Sequence, residues 1–154
     1  MPAAAVYTHT NLIAQDWRAL ADFYIQVFGC AVLPPERDTS GEALARGTGI
    51  PGAHLRGVHL RLPGFADGGP TLEIYSYEPR ADAGQKAVNR PGYGHIAFRM
   101  EDVSAARELV LAAGGSALGE IVTTPVGADR RITWCYVTDP EGNAIELQTA
   151  VQYA

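Results

Sequence analysis

Four side chains in this sequence have the types and the spacing to hold a metal ion: His9, Glu73, His95 and Glu146. Each glutamate sits between apolar neighbours, in Leu72-Glu73-Ile74 and Ile145-Glu146-Leu147, and His95 is followed by Ile96. In a strand those neighbours face one side and the ionisable side chain faces the other. A carboxylate in a half-buried strand is costly unless it is paired or bound to a metal. Two imidazoles and two carboxylates make an N2O2 donor set, and the two carboxylates cancel the charge of a divalent cation. Four donors on an octahedral ion leave two positions open, for waters or for a pair of substrate oxygens. Such donors suit Ni, Co, Mn, Fe or Zn rather than a thiolate-preferring ion. Taken singly, a strand histidine is usually a hydrogen-bonded core or surface residue, and a strand glutamate usually lies on a solvated face. The four are set apart by their matched positions in an internal repeat.

His9 and His95 lie 86 residues apart. At that offset Asp16 meets Asp102, Phe23 meets Leu109, Gly29 meets Gly115 and Ala31 meets Ala117. A second block, Gly69-Pro70-Thr71-Leu72-Glu73-Ile74 over Gly142-Asn143-Ala144-Ile145-Glu146-Leu147, matches at an offset of 73. Two ordered blocks that end in the same residue types point to a duplication. The difference between the offsets gives the first half 13 extra residues, expected in the Gly-, Pro- and charge-rich stretch 34–52. His54 and His59 have no partner in the repeat and read as ordinary polar residues, His59 at most as a substrate contact.

Each half must supply the elements that position these side chains. Residues 8–13 and 96–100 are strand-like. Asp16 offers an N-cap to a helix with Trp17, Leu20, Ala21, Tyr24 and Phe28 at helical spacing, stopped by Gly29. Asp102 or Ser104 starts a second helix with Val103, Ala106, Leu109 and Val110, ended by Gly114-Gly115. Strands follow at 58–62 and 71–77 in the first half, with an irregular or edge-like piece near 31–34. In the second half they are expected at 118–122, 132–137 and 144–149. Asp139-Pro140-Glu141-Gly142-Asn143 reads as a tight hairpin turn. The expected fold class is α+β: two βαβββ modules, about 5–80 and 91–150 with a linker at 78–91, forming a cupped mixed sheet with the helices outside. A lone unit of this size buries too little, so one shared domain over 1–154 is expected.

Composition excludes several function classes. The chain has 154 residues, 47% apolar and 19% charged, with 12 basic against 17 acidic side chains and a net charge of −5. That is a globular composition with no broad basic surface for nucleic acid. No apolar run approaches the ~18 residues of a membrane span. The first residues lack the basic and apolar regions of a signal peptide. Cys30 and Cys135 form no CxxC pair and read as buried, reduced thiols of a cytoplasmic protein.

The pattern resembles the vicinal oxygen chelate superfamily, also called the glyoxalase, bleomycin-resistance and dioxygenase fold. The residues that carry it are His9-x6-Asp16-x6-Phe23-Tyr24 with Phe28-Gly29, then Leu72-Glu73-Ile74. Gly94-His95-Ile96-Ala97-Phe98 with Asp102 follows, and last Asp139-Pro140-Glu141-Gly142-Asn143 with Ile145-Glu146-Leu147. It spans nearly the whole chain except 34–53. It implies that the metal ligands are His9, Glu73, His95 and Glu146, holding one divalent ion per site.

The resemblance further implies proton transfer next to a carbonyl, as in glyoxalase I-like lyases or acyl-CoA epimerase-like isomerases. The metal stabilises a bound enolate, Glu146 acts as the base, and Glu73 serves the opposite face. Ring-cleaving dioxygenases of the superfamily use two histidines and one glutamate, so Glu73 is a fourth donor that they do not need. Epimerases often carry Gln near this position. A dioxygenase, and a metal-free small-molecule binding or antibiotic-resistance protein, are the alternatives. Members commonly form homodimers, so the four ligands belong to one chain or are shared between two.

For a small-molecule substrate the sequence offers Arg56, Arg61, Arg130, Arg131, Trp134 and Tyr136, all of which also read as ordinary strand or surface residues. The insert, with Glu36 and Glu42, is expected to lid the site.

Overall fold

The structure is a computed structural model that describes residues 4–82 and 84–153. Residues 1–3 and 154, and Ala83 of the expected linker, lie outside the described residues. The chain divides into two compact units, Met1–Asp82 and Ala83–Ala154.

The first unit contains β1 (His9–Ile13), α1 (Trp17–Phe28), β2 (Ala31–Ser40), α2 (Glu42–Thr48), β3 (His54–Arg61) and β4 (Thr71–Glu78). Its sheet has the order β1-β4-β3-β2, with β1 parallel to β4 and the other pairs antiparallel. The second unit contains β5 (Ile96–Arg99), α3 (Val103–Ala112), β6 (Ser116–Ala117), β7 (Val122–Pro125), β8 (Arg130–Thr138), β9 (Ala144–Gln148) and β10 (Gln152–Tyr153). Its sheet has the order β10-β8-β9-β5, β5 parallel to β9, with β6 and β7 both paired to β8. The fold class is α+β, as the strand and helix patterns predicted.

The two longer helices, α1 and α3, each start at an aspartate that caps them. The Asp16 carboxylate accepts from the backbone N–H of Arg18 and Ala19, both at 3.1 Å, and Asp102 from that of Ala105 at 3.0 Å. Leu20, Ala21, Phe23, Tyr24, Val27 and Phe28 bury one face of α1, which packs on β3 and β4. There it meets Val58, Leu60, Leu72 and Ile74, all buried. Val103, Ala106 and Val110 of α3 do the same on β8 and β9, above Cys135, Val137, Ile145 and Leu147. Each such Leu or Ile contributes ~1.5–3 kcal/mol by leaving water. These faces lock the register of both sheets, because a one-residue slip would turn Glu73 and Glu146 into the cores. Leu109, expected as a core position, is 55% exposed: α3 is two residues shorter than α1, and three buried side chains suffice to seat it.

Strand register corrects how the two halves correspond. Asn11 pairs with Glu73 and Ala97 with Glu146, which sustains the offsets of 86 and 73. The helix-ending glycines in left-handed conformation are Gly29 (φ 70°) and Gly114 (φ 90°), not Gly29 and Gly115. From there β2 corresponds to β6 plus β7 at an offset of 85. The stretch near 31–34 opens a ten-residue strand that is, as expected, at the sheet edge and irregular: its register with β3 shifts between Leu33 and Arg37. The strand expected at 118–122 is instead two short strands, β6 and β7, of which only Val122 falls in that range.

The extra residues also do not all lie in 34–52. Thirteen residues separate Ser40 from His54, where five separate Pro125 from Arg131. The loop between β3 and β4 holds nine residues, against five between β8 and β9. The first excess carries α2, an exposed helix that the Gly-rich composition concealed. The turn at 139–143 forms as expected: Asp139 accepts from the backbone N–H of Glu141 and Asn143, at 3.0 and 2.9 Å. No described helix is long and apolar enough to cross a membrane.

Candidate functional site

In the first unit, Glu73 stands on β4 between Leu72 and Ile74, whose side chains fill the core under α1. Alternation turns Glu73 to the other face of the sheet. It is only 9% exposed there. Two imidazoles meet it: His9 Nδ1 lies 3.5 Å and His59 Nε2 3.2 Å from the same oxygen, Oε1. His9 comes from the neighbouring parallel strand and His59 from directly opposite on β3. Tyr75, next on the same face, places its hydroxyl 2.5 Å from His59 Nε2.

Gly57 makes this arrangement possible. It pairs with Tyr75, and a Cβ at Gly57 would stand 2.0 Å from the Ile74 carbonyl oxygen and 2.3 Å from the Tyr75 ring. Only a residue without a side chain leaves that space to the phenol. Burial pushes the Tyr75 hydroxyl up to about 12, and the Glu73 carboxylate adds to the effect. Burial also lowers the His59 imidazole, against the opposing pull of Glu73.

The second unit builds a simpler version. Glu146 on β9 turns away from Ile145 and Leu147, both wholly buried. His95, just before β5 rather than inside it, brings Nε2 to 3.0 Å from Glu146 Oε2. Tyr136 faces Glu146 across the ladder, and its ring centroid is 5.0 Å from that of His95. Trp134, on the same face, meets Tyr136 edge-on at 5.3 Å and donates its indole N–H to Thr124 Oγ1 at 3.1 Å.

The four expected ligands are therefore joined in two pairs, His9 with Glu73 and His95 with Glu146, one in each unit. Among the described residues no three His, Cys, Asp or Glu side chains converge as a metal-binding group. Neither glutamate has a Lys or Arg partner among the described residues. Such a carboxylate, sheltered beside an imidazole and without a basic partner, fits a divalent cation.

Other candidates fall away from these pairs. Arg56 reaches Asp38 and Glu78, each at 3.5 Å, and Arg61 pairs with Asp67 at 2.8 Å. Glu36 is held by Arg18 at 2.7 Å on the surface, and Glu42 is an exposed first-turn residue of α2, so neither reads as an acid or base. Arg130 and Arg131 open β8, where β10 pairs with them. His54 belongs to the Asp38 ion pair. The residue that sequence reading undervalued is His59. Its flanking Val58 and Leu60 carry the same alternation signal as those of Glu73, but its counterpart in the second unit is Tyr136, so the repeat gives it no matching histidine.

The model of the Glyoxalase/Bleomycin resistance protein/Dioxygenase superfamily matches residues 7–147. None of the curated proteins matches the chain. Among solved structures, the chain is similar to a glyoxalase family protein from Bacillus cereus, with a TM-score of 0.72 and 20% identity over 97% of this chain and 95% of that one. A glyoxalase/bleomycin resistance protein/dioxygenase family enzyme from Burkholderia phytofirmans gives 0.58 and 17%, covering 92% and 96%. TioX from Micromonospora sp. gives 0.54 and 18%, covering 94% and 98%. At these identities the likeness is one of fold.

Proposed function

The chain belongs to the Glyoxalase/Bleomycin resistance protein/Dioxygenase superfamily, and from that premise we propose that it is a metal-dependent isomerase or lyase moving a proton at the carbon next to a carbonyl. The observation that carries this reading is the twice-built pair of an imidazole on a sheltered carboxylate, at the same register in both units. His9, Glu73, His95 and Glu146 would together supply the donors for one divalent ion. A bound divalent ion provides Lewis acidity, which makes the C–H beside a carbonyl easier to deprotonate.

The chain's own residues do the rest. Glu146, held by a single imidazole, takes the proton and returns it through its carboxylate oxygen. Tyr136, opposite Glu146 on the ladder, and Trp134, edge-on to Tyr136, put aromatic surface on the face that carries this carboxylate. Glu73, met by two histidines, is the more firmly held of the two glutamates and would serve the opposite face. The presence of Glu73 speaks against the dioxygenase alternative, which needs only three protein donors and more open positions. A metal-free binding role is the second reading, favoured by the Trp134–Tyr136 surface, on which a planar ligand can stack.

A homodimer in the cytoplasm completes the proposal; the two unbridged, buried cysteines agree with a reducing compartment. The test is metal content per chain after chelator-free purification, and again after stripping and reloading with Ni, Co, Mn, Fe and Zn. About one ion per chain, lost in His9→Ala and in Glu146→Gln, is expected. α-Proton exchange in D2O with thiohemiacetals and acyl thioesters then tests the reaction. No ion under any loading would leave small-molecule sequestration in its place.

A further inference from the structure

We propose that Arg37 selects the substrate by binding one carboxylate group on it; this deepens the reading above and rests on the Glu73 half-site serving a small-molecule reaction. Arg37 lies on β2 directly opposite Gly57, and Gly57 lies directly opposite Tyr75. Antiparallel partners share a face, so Arg37, Gly57 and Tyr75 form one row on the face that carries Glu73 and His59. The next row along is Leu33, His59, Glu73 and Asn11. With no side chain at Gly57, the Tyr75 ring leans into that space, and no side chain stands between it and Arg37.

Arg37 is half-buried. Its guanidinium donates to the carbonyl of Pro35 in its own strand. Arg18, Arg56 and Arg61 of the same unit are each matched with a carboxylate. Among the described residues Arg37 has none within ion-pair distance. A half-buried guanidinium with donors to spare is completed by a planar acceptor of opposite charge, and a carboxylate fits its fork.

The row also limits the ligand's charge. One unmatched cation meets one negative charge, whereas a phosphate or diphosphate would call for more. The corresponding position in the second unit, opposite Trp134, is Val122. The cation therefore belongs to one half only, and it orients an otherwise ambiguous substrate: carboxylate toward Arg37.

The test measures binding of three 2-, 3- and 4-oxo acids, pyruvate, acetoacetate and levulinate, each against its uncharged amide. Calorimetry is done on the Ni(II)-loaded full chain and on the stripped chain. At least one acid is expected to bind about tenfold or more tightly than its amide. Arg37→Met should bring that ratio near one while leaving amide binding unchanged, and Arg37→Lys should keep part of it. Wild-type protein that prefers none of the acids, or variants that keep the full preference, would overturn the proposal. Nickel bound at one per chain without acid preference overturns this inference alone. Acid preference that depends on Arg37 in a chain that binds no metal upholds it and removes the metal reading instead.

Discussion

His59 and Tyr136 occupy the same register position in the two units, each directly across the ladder from the site glutamate of its own sheet, Glu73 or Glu146. The two units share the carboxylate and differ in its facing partner. An imidazole 3.2 Å away grips Glu73, while an aromatic ring stands before Glu146. The two glutamates are equal in sequence pattern and unequal in chemistry.

His59 should therefore matter to metal affinity through Glu73. His59→Phe removes the nitrogen and keeps the bulk. It is expected to weaken metal binding about 10–100-fold, the usual cost of losing a group that orients a ligand. His59→Gln, which retains a donor, should recover part of that. Competition with a fluorescent chelator reads both, and unchanged affinity in His59→Phe would show that Glu73 needs no such support.

The glutamates should separate in exchange kinetics. Glu146→Gln removes the group assigned to carry the proton and is expected to cut α-proton exchange by about 10²-fold or more. Glu73→Gln should act chiefly by lowering metal occupancy, so excess metal restores part of its rate. Equal rates in the two variants at saturating metal would contradict these separate roles.

Gly57→Ala is expected to destabilise the protein by about 1–3 kcal/mol, because its Cβ would meet the fixed carbonyl of Ile74 at 2.0 Å. The Tyr75 ring must also yield. A fall in thermal midpoint accompanied by a change in tyrosine absorbance would mark both effects. A neutral outcome would mean that β3 and β4 can separate there.

Burial raises the Cys30 thiol from 9.0 to about 11. At pH 8 the native thiol should react far more slowly with an aromatic disulfide than a free cysteine does, with the rate climbing toward pH 11. Folding favours the neutral thiol, so its stabilising contribution is complete below about 9 and is lost as pH rises through about 11. Fast labelling of the folded chain at pH 8 would contradict this.

The helices were legible in the sequence because their signals are local. Asp16, Asp102, Gly29 and Gly114 mark the ends, and apolar spacing marks the faces. Placement of the two glutamates was legible for a similar reason, since a charged residue between two apolar ones in a strand can face only away from the core. The α2 helix was not, because Glu42–Thr48 buries no side chain and so carries no periodic apolar signal.

By itself, the sequence determined the α+β class, the duplication and which glutamate and histidine of each half belong together. Those follow from alternation and spacing, which act within a few residues. Only tertiary structure decided that His59 and Tyr75 join Glu73, that Arg37 shares their face and that Tyr136 takes the matching place beside Glu146. Those relations depend on strand register and on a missing side chain at Gly57, and register is set by how the buried faces of Leu72, Ile74, Ile145 and Leu147 pack beneath their helices.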